Sequence, residues 1–441
     1  MKKHNILLII LSSIFMPNMF QAVYAGGFRV EGNGVEEIGS AGAITARSKG
    51  AMSLFTNPAN LGNLKKAKGE AVLGSSIFFQ KGYYSNIGQS TWSSEAQTDF
   101  EPYGAFLFKF KDRFAFAIGQ SNTYHHTFEW TDPEFIARYV SSGQEMIVTE
   151  LTAGASVKFG SKWSFGITLR NATADFYFEQ KRPKPIFGQE TFPDRFYDYA
   201  HQNQADDSGI GFGLGMYYTP RFGMEFALSY FSAVDFSFSG VHRVVQTTDL
   251  ENSNFVADFA SFAYENDMHS AWSIPQRITL ASSFKTTVRT RVELDLAYEG
   301  WGTNDFMAIQ THDENGEPIT FDLGTSWNNV MDYSAGGEFR HTPQLIWRAG
   351  IAYRSHILDK GDLHPGFPTY DRFTASFGIS YKFDKNTIEF GYAYNQYRDV
   401  KVSGQELVID INSEDYLISN AQSGLFESQK HQMSLAYRRR F

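Results

Sequence analysis

Residues Phe373–Asp384 read FTASFGISYKFD, and their alternation decides the fold class. Phe373, Ala375, Phe377, Ile379, Tyr381 and Phe383 fall on one face. Thr374, Ser376, Gly378, Ser380, Lys382 and Asp384 fall on the other. A period of two is that of a strand with one apolar face. The same pattern recurs where Val292, Leu294, Leu296 and Tyr298 alternate with Glu293, Asp295, Ala297 and Glu299. It recurs again where Leu151, Ala153, Ala155, Val157 and Phe159 alternate with Thr152, Gly154, Ser156 and Lys158. Taken alone, such strands also suit a soluble sandwich whose polar face meets water.

The connections decide between the two. Candidate strands cover 69–83, 100–111, 113–130, 145–159, 162–179, 207–219, 222–240, 270–285, 289–304, 327–341, 345–357, 373–384, 387–402 and 425–441. That is fourteen, an even number, as a single-chain bacterial barrel requires. Every second connection is tiny, as at Lys111-Asp112, Gly160-Ser161, Pro220-Arg221 and Lys385-Asn386. Those between them are longer: 84–99, 131–144, 180–206, 241–269, 305–326, 358–372 and 403–424. Short periplasmic turns and long external loops give this rhythm. A sandwich has no reason to sort its loops by parity. In the last strand Met433, Leu435, Tyr437 and Phe441 share a face, and the terminal Phe resembles the signal by which bacterial outer-membrane barrels are recognised. The barrel assembly machinery is therefore an expected partner.

Composition agrees. The first 25 residues read as a signal peptide: Lys2-Lys3, an apolar run from Ile6 to Phe15, then Val23-Tyr24-Ala25 at a cleavage site. Without Lys2 and Lys3 the chain keeps 37 basic against 48 acidic residues, which argues against a nucleic-acid partner. It has no cysteine, hence no disulfide framework, and no later stretch approaches a membrane helix. Phe, Tyr and Trp together number 71 and Gly 38. An exported, aromatic-rich, helix-poor chain fits a transmembrane β-barrel with aromatic girdles at both interfaces.

Gly26 to Lys65 stand apart. They are Gly/Ala-rich, do not alternate and end on Asn57-Pro58-Ala59. With Gly27-Phe28, Gly39 and Gly42-Ala43-Ile44, this segment resembles the plug of the FadL/TodX family of outer-membrane transporters of hydrophobic compounds. Further matches follow in order: Pro275 to Leu280, Tyr298 to Trp301, Trp347 to Tyr353, Asp371-Arg372 and Phe390 to Tyr394. The family often carries a Pro-aromatic-Gly near the end of the third strand, where this chain has Gln120-Ser121-Asn122-Thr123-Tyr124.

The resemblance implies an all-β transmembrane antiparallel barrel of about fourteen strands (68–441) closed by an N-terminal plug or hatch (26–67). It also implies passive uptake across the outer membrane of a Gram-negative bacterium, most of all of long-chain fatty acids. Ligands would be captured outside, pass an interior site near the mature N-terminus and leave sideways into outer-membrane lipid through a kink in the third strand. Gly26, Gly27, Phe28, Asn57, Pro58 and Ala59 become the plug or gate candidates. Gly119, Gln120, Ser121 and Asn122 become the kink candidates.

Other candidates come from the residues themselves. Phe192, Phe196 and Tyr199, and likewise Phe255, Phe259 and Phe262, recur at i, i+4, i+7 in external loops, and paired helices there would make an apolar groove. A third short helix is expected from Asp132-Pro133 through Ile136 and Tyr139. A fatty-acid carboxylate would want an interior cation. Parity puts Lys158, Arg170, Arg340, Arg348, Arg354 and Lys382 inside, and Arg170 and Arg354 lie at or above mid-height. Glu293, Asp295, Glu338 and Glu389 could pair with them.

Catalytic motifs are lacking: neither Gly-x-Ser-x-Gly nor His-Glu-x-x-His occurs. Gly209, Gly211, Gly213 and Gly215 alternate and leave room on one strand face. His125-His126 reads as a surface pair, and Asp313 to Gly316 as a turn. No metal or cofactor is expected. Uptake of aromatic or alkane hydrocarbons by the same route is the first alternative; an outer-membrane hydrolase and a structural or adhesive barrel are alternatives of another class.

Overall fold

The computed structural model describes residues 29–30, 32–65, 67–86, 90–183, 198–221, 223–246, 263–303, 308–322, 327–363, 365–368, 370–403, 407–411, 414–418 and 423–441. Period-two alternation becomes fourteen wall strands among these residues. They are β1 (Gly69–Asn86), β2 (Gln97–Phe110), β3 (Phe114–Glu129), β4 (Gly143–Phe159), β5 (Trp163–Pro183) and β6 (Asp198–Tyr218). Then β7 runs as Met224–Phe231 and Val234–Gln246, and β8 as Tyr264–Ile274 and Arg277–Lys285. The wall is completed by β9 (Thr290–Glu299), β10 (Val330–Arg340), β11 (Leu345–Arg354), β12 (Arg372–Phe383), β13 (Asn386–Tyr397) and β14 (Gly424–Arg440). Neighbours are antiparallel, and β14 returns to β1 from Glu70↔Arg440 to Asn86↔Gly424. Closure leaves no free outer edge at this seam, which lipid would penalise heavily.

The lower wall carries the membrane belt. On β5, Phe165, Ile167 and Leu169 face outward while Ser164, Thr168 and Arg170 are buried inside. Above Arg170 the same even-numbered face stays inward but becomes apolar, with Ala172, Ala174, Phe176 and Phe178 buried, while Asp175 is exposed outside. Here water has replaced lipid as the outer solvent, so apolar side chains turn to the lumen. Val234–Gln246 pairs with Tyr264–Ile274 in this upper zone, with Asp235, Ser237, Glu265 and Asp267 exposed.

These upper strands revise the loop assignments. β5 and β6 pair as far as Pro183↔Asp198, well into the span read as loop 180–206. Tyr199, grouped with Phe192 and Phe196 as a helical stripe, is instead a strand residue paired with Arg182 and Gln246. Phe192, Phe196, Phe255, Phe259 and Phe262 lie outside the described residues, as do Gly26, Gly27 and Phe28. The third expected helix is one 3-10 turn, Ile136–Tyr139, preceded by a turn in which Asp132 Oδ1 accepts from Glu134 N at 2.9 Å.

The plug fills the lower lumen. It contains a short helix, Val35–Ile38, and two 3-10 helices, Ala51–Phe55 and Pro58–Asn63. Pro58 opens the last of these with no amide hydrogen to leave unpaired, and Asn57 Oδ1 accepts from Ala59 N at 3.1 Å. Val35, Met52, Leu54, Phe55, Leu61 and Leu64 pack on Val72, Tyr103, Ala105, Leu107, Ala115 and Ala117 of the wall. Small wall residues let a folded segment fit inside.

Candidate functional site

Glycines in the wall receive the plug at two places. A Cβ at Gly166 would overlap the Pro58 carbonyl carbon and Ala59 N, and one at Gly215 would overlap Asn57 Oδ1. Across the lumen, Gly336 and Gly350 adjoin Ser40, while Gly378 adjoins Gly39. Asn57 Nδ2 donates to Met216 O at 3.1 Å, so the Asn57-Pro58-Ala59 turn is both seated and tied.

Wall carboxylates then bind plug amides. Thr45 N donates to Asp295 Oδ2 at 3.0 Å, Ala46 N to Glu293 Oε1 at 2.7 Å, and Ala51 N to Glu70 Oε1 at 2.9 Å. Ion pairs add to this: Arg47 lies 3.5 Å from Glu293 and 3.3 Å from Glu338, and Glu36 lies 3.2 Å from Arg348 and 3.5 Å from Arg438. Hydrogen bonds to charged groups contribute roughly 1.5–3 kcal/mol each in favourable cases. The seat is polar and specific as well as close-packed.

Above the plug lies a small cavity. Leu54, Phe55, Tyr124, Phe231 and Pro275 supply its apolar surface, and Arg29, Thr123, Glu150, Thr152, Arg170 and Arg277 its polar surface. The two carboxylate-binding candidates are placed in and beside this cavity, each against a carboxylate of the chain itself. Arg170 holds Glu150 through Nε at 2.8 Å and Nη2 at 2.5 Å, donates Nη1 to Ser232 O at 3.1 Å and stands over the Phe231 ring. Arg354 Nη2 lies 2.5 Å from Glu299 Oε1, which Arg277 Nη1 also reaches at 2.5 Å. Of the other interior cations, Arg348 is buried and reaches Glu338 at 3.6 Å, while Arg340 and Lys382 are exposed at the lower rim.

Over the cavity the rings are continuous. Phe176 meets Phe238 at 5.7 Å between centroids, Phe238 meets Phe236 at 5.7 Å, and Phe236 meets Trp272 at 5.9 Å. Trp272 then meets Trp301 at 5.9 Å, and Trp301 meets Tyr124 at 5.6 Å and Trp327 at 5.4 Å. All these spacings are those of favourable ring pairs. Higher in the mouth His201 and His242 lie 5.3 Å apart beside Phe321. Burial, reinforced by the Arg182 charge, pushes both imidazoles below their usual value and keeps them neutral.

The path of rings ends on β3, where the wall divides. β2 pairs with β3 only from Gly104↔Gln120 to Phe110↔Phe114. Among the described residues Gln97 to Tyr103 and Ser121 to Glu129 form no ladder with each other, although β1 pairs with β2 down from Gln97 and β4 with β3 up to Glu129. A bulge between Asn122 and Tyr124 turns the upper part of β3 inward, and Thr123 to Phe128 are all buried, on both faces. Of the kink candidates, Gly119 and Gln120 close the paired section, while Ser121 and Asn122 begin the unpaired one. His125 and His126, read as a surface pair, are instead 2 % exposed each, because the inturned strand is covered on both sides. From within, Arg29 bridges to Tyr124 and Val30 N donates to Thr123 O at 3.1 Å.

Comparison with known proteins agrees with this architecture. Residues 19–441 match the family described as outer membrane protein transport protein (OMPP1/FadL/TodX). The chain belongs to this family. The long-chain fatty acid transport protein of Salmonella typhi is 20 % identical over 322 residues, spanning 70 % of this chain and 72 % of that protein. Its Escherichia coli K12 counterpart is 18 % identical over 330 residues, spanning 70 % and 73 %. Among solved structures, a Pseudomonas aeruginosa FadL homologue superposes with a TM-score of 0.75 at 18 % identity, covering 94 % of this chain and all of that one. The Pseudomonas putida toluene transporter TodX gives 0.72 at 15 % identity, with 95 % and 99 % covered. This member of the family is thus an outer-membrane barrel of the Gram-negative type and a channel for hydrophobic compounds.

Sequence reading missed Glu150, Glu299, the Thr123 bulge and the tryptophan run. One of these had a signal. The turn after β4 sets the register Thr152↔Arg170, which puts Glu150 on the same face one diagonal step from Arg170.

Proposed function

We propose that this transporter takes up small neutral hydrophobic compounds, aromatic hydrocarbons foremost, and releases them sideways into the outer leaflet between β2 and β3. The continuous path of rings from the mouth to Tyr124 carries this reading. A planar apolar molecule can exchange one ring contact for the next without entering water, which would cost about 25 cal/mol per Å² of apolar surface exposed. The pairing of Arg170 with Glu150 and of Arg354 with Glu299 supports a neutral cargo, since each guanidinium already has its carboxylate. The split ladder between β2 and β3 supports the sideways exit. The same reading assigns residues 1–25 to a cleaved signal peptide, 26–67 to the plug and 68–441 to the barrel. It also assigns recognition by the barrel assembly machinery to the last strand, which presents Met433, Leu435, Tyr437 and Phe441 outward.

A strain lacking its own transporters of this class, complemented with the chain, is expected to gain uptake of and growth on toluene. Gain on oleate alone would overturn the hydrocarbon reading in favour of long-chain fatty acids, the cargo named for the curated relatives. Charge selection has its own test. Glu150→Gln leaves Arg170 as an unpaired cation at the cavity, so benzoate should inhibit toluene uptake about tenfold more strongly than in the parent, as expected for one charged hydrogen bond. Unchanged inhibition would remove Arg170 from any role in selecting charge.

A further inference from the structure

We propose that His125 and Asp99 form a side-chain gate across the opening between β2 and β3. The proposal rests on the lateral-exit reading above. Where the backbone ladder between β2 and β3 stops, side chains span the gap. The opening is bounded below by the Gly104↔Gln120 pair and above by Glu95 N donating to Glu129 O at 2.8 Å. Between these two ties His125 stands on the outer face of the inturned strand, against the inner face of its neighbours. Its Nε2 lies 2.9 Å from Asp99 Oδ2 on β2. Its ring stacks on Phe78 of β1 at 4.8 Å and an interplanar angle of 11°. Lys430 of β14 places Nζ 3.0 Å from His125 Nδ1 and 3.1 Å from the His125 carbonyl oxygen.

These contacts fix the imidazole. An ammonium can only donate, so Nδ1 must accept and the ring proton must sit on Nε2, the nitrogen next to the Asp99 carboxylate. The ring is therefore held in one tautomer and one orientation by Lys430, Phe78 and Asp99, which come from three different strands. A hydrophobic molecule leaving between β2 and β3 has to part His125 from Asp99. Glu101, 3.9 Å from the same Nε2, is the second carboxylate the ring could reach as it swings. The gate sets how fast cargo leaves, whereas the ring path sets what enters.

The test uses the full-length protein in cells, with radiolabelled toluene as probe and heat-modifiable gel mobility as the measure of folding. Asp99→Asn and His125→Ala should each raise the uptake rate about fivefold, the size expected for loss of one close polar contact. The chain has no cysteine, so His125→Cys with Asp99→Cys supplies a unique thiol pair. Bridging that pair with a cleavable bifunctional thiol reagent should abolish uptake, and cleaving the reagent should restore it. If the bridge abolishes uptake but Asp99→Asn and His125→Ala transport at the parent rate, the gate is overturned and the lateral exit stands. If the bridged protein transports at the parent rate, the lateral exit itself falls and the gate falls with it. Should the cysteine pair fail to assemble, Asp99→Asn decides alone: an unchanged rate overturns the gate.

Discussion

Deletion of residues 26–65 is expected to expose the lower lumen to the periplasm without opening the barrel from end to end. A cysteine at Ser156 reports this cleanly. Ser156 is buried, and its Oγ accepts from Gly62 N of the plug at 2.9 Å. In a chain with no other thiol, Ser156→Cys should be unreactive to a membrane-impermeant maleimide while the plug is in place, and fully labelled once it is deleted. The barrel should survive the deletion. The carboxylates that now accept plug amides, Glu70, Glu293 and Asp295, face inward, where water can replace the lost donors instead of leaving them dry. Ion conductance should nevertheless stay low. Trp301, Trp327 and Phe367 still fill the upper lumen, held by His126 Nε2 at 2.7 Å from Gly366 O and by Trp130 Nε1 donating to Pro365 O at 3.0 Å. Equal labelling with and without the plug would mean that the segment does not shield the lower lumen.

The sequence made the membrane-spanning wall readable because lipid outside and polar lumen inside impose one phase of alternation on every strand. Phe373 to Asp384 shows that phase, and the observed β12 spans Arg372–Phe383. The same physics hid the upper barrel. Past Arg170 the outer solvent changes from lipid to water, so Phe176 and Phe178 turn inward and alternation resumes with the opposite sign. The candidate strand 162–179 runs through Phe176 and Phe178, but past it the pattern reads as a loop, in which Tyr199 aligns by chance with Phe192 and Phe196 at helical spacing. Parity did put Arg170 and Arg354 inside. Partners for the two differ in how readable they were. Glu150 is one diagonal step away across a two-strand hairpin whose register follows from its short turn. Glu299 reaches Arg354 from β9 across the intervening β10, a separation that depends on strand tilt and barrel closure. The division between β2 and β3 depends on a single inserted residue near Thr123, which no periodicity announces.

Glu299→Ala is expected to be the most damaging single substitution in the wall. The carboxylate is fully buried, and three guanidinium groups converge on Oε1: Arg277 and Arg354 at 2.5 Å each and Arg29 at 3.9 Å. Its other oxygen accepts from Trp301 Nε1 at 2.9 Å, which joins the charge cluster to the path of rings. Removing one member of a buried ion pair costs about 3–5 kcal/mol, because the remaining charge stays desolvated. Here several cations lose a shared partner together, and Asp332, 3.2 Å from Arg277, is left as the nearest compensating carboxylate for that residue. Arg354 also donates to Arg29 O at 3.4 Å, so the cluster anchors the residue that bridges to Tyr124 at the bulge. Loss of Glu299 should therefore lower the temperature of heat-modifiable unfolding and slow toluene uptake in the same variant. Glu299→Gln separates charge from shape: it keeps an acceptor for Trp301 but not the negative charge, and should be nearly as destabilised as the alanine. Combining Glu299→Ala with Arg354→Met removes one of the stranded cations and should recover part of the stability, a non-additivity expected for groups in direct contact. If the double variant is as unstable as the sum of the two single changes, Glu299 does not act by neutralising Arg354.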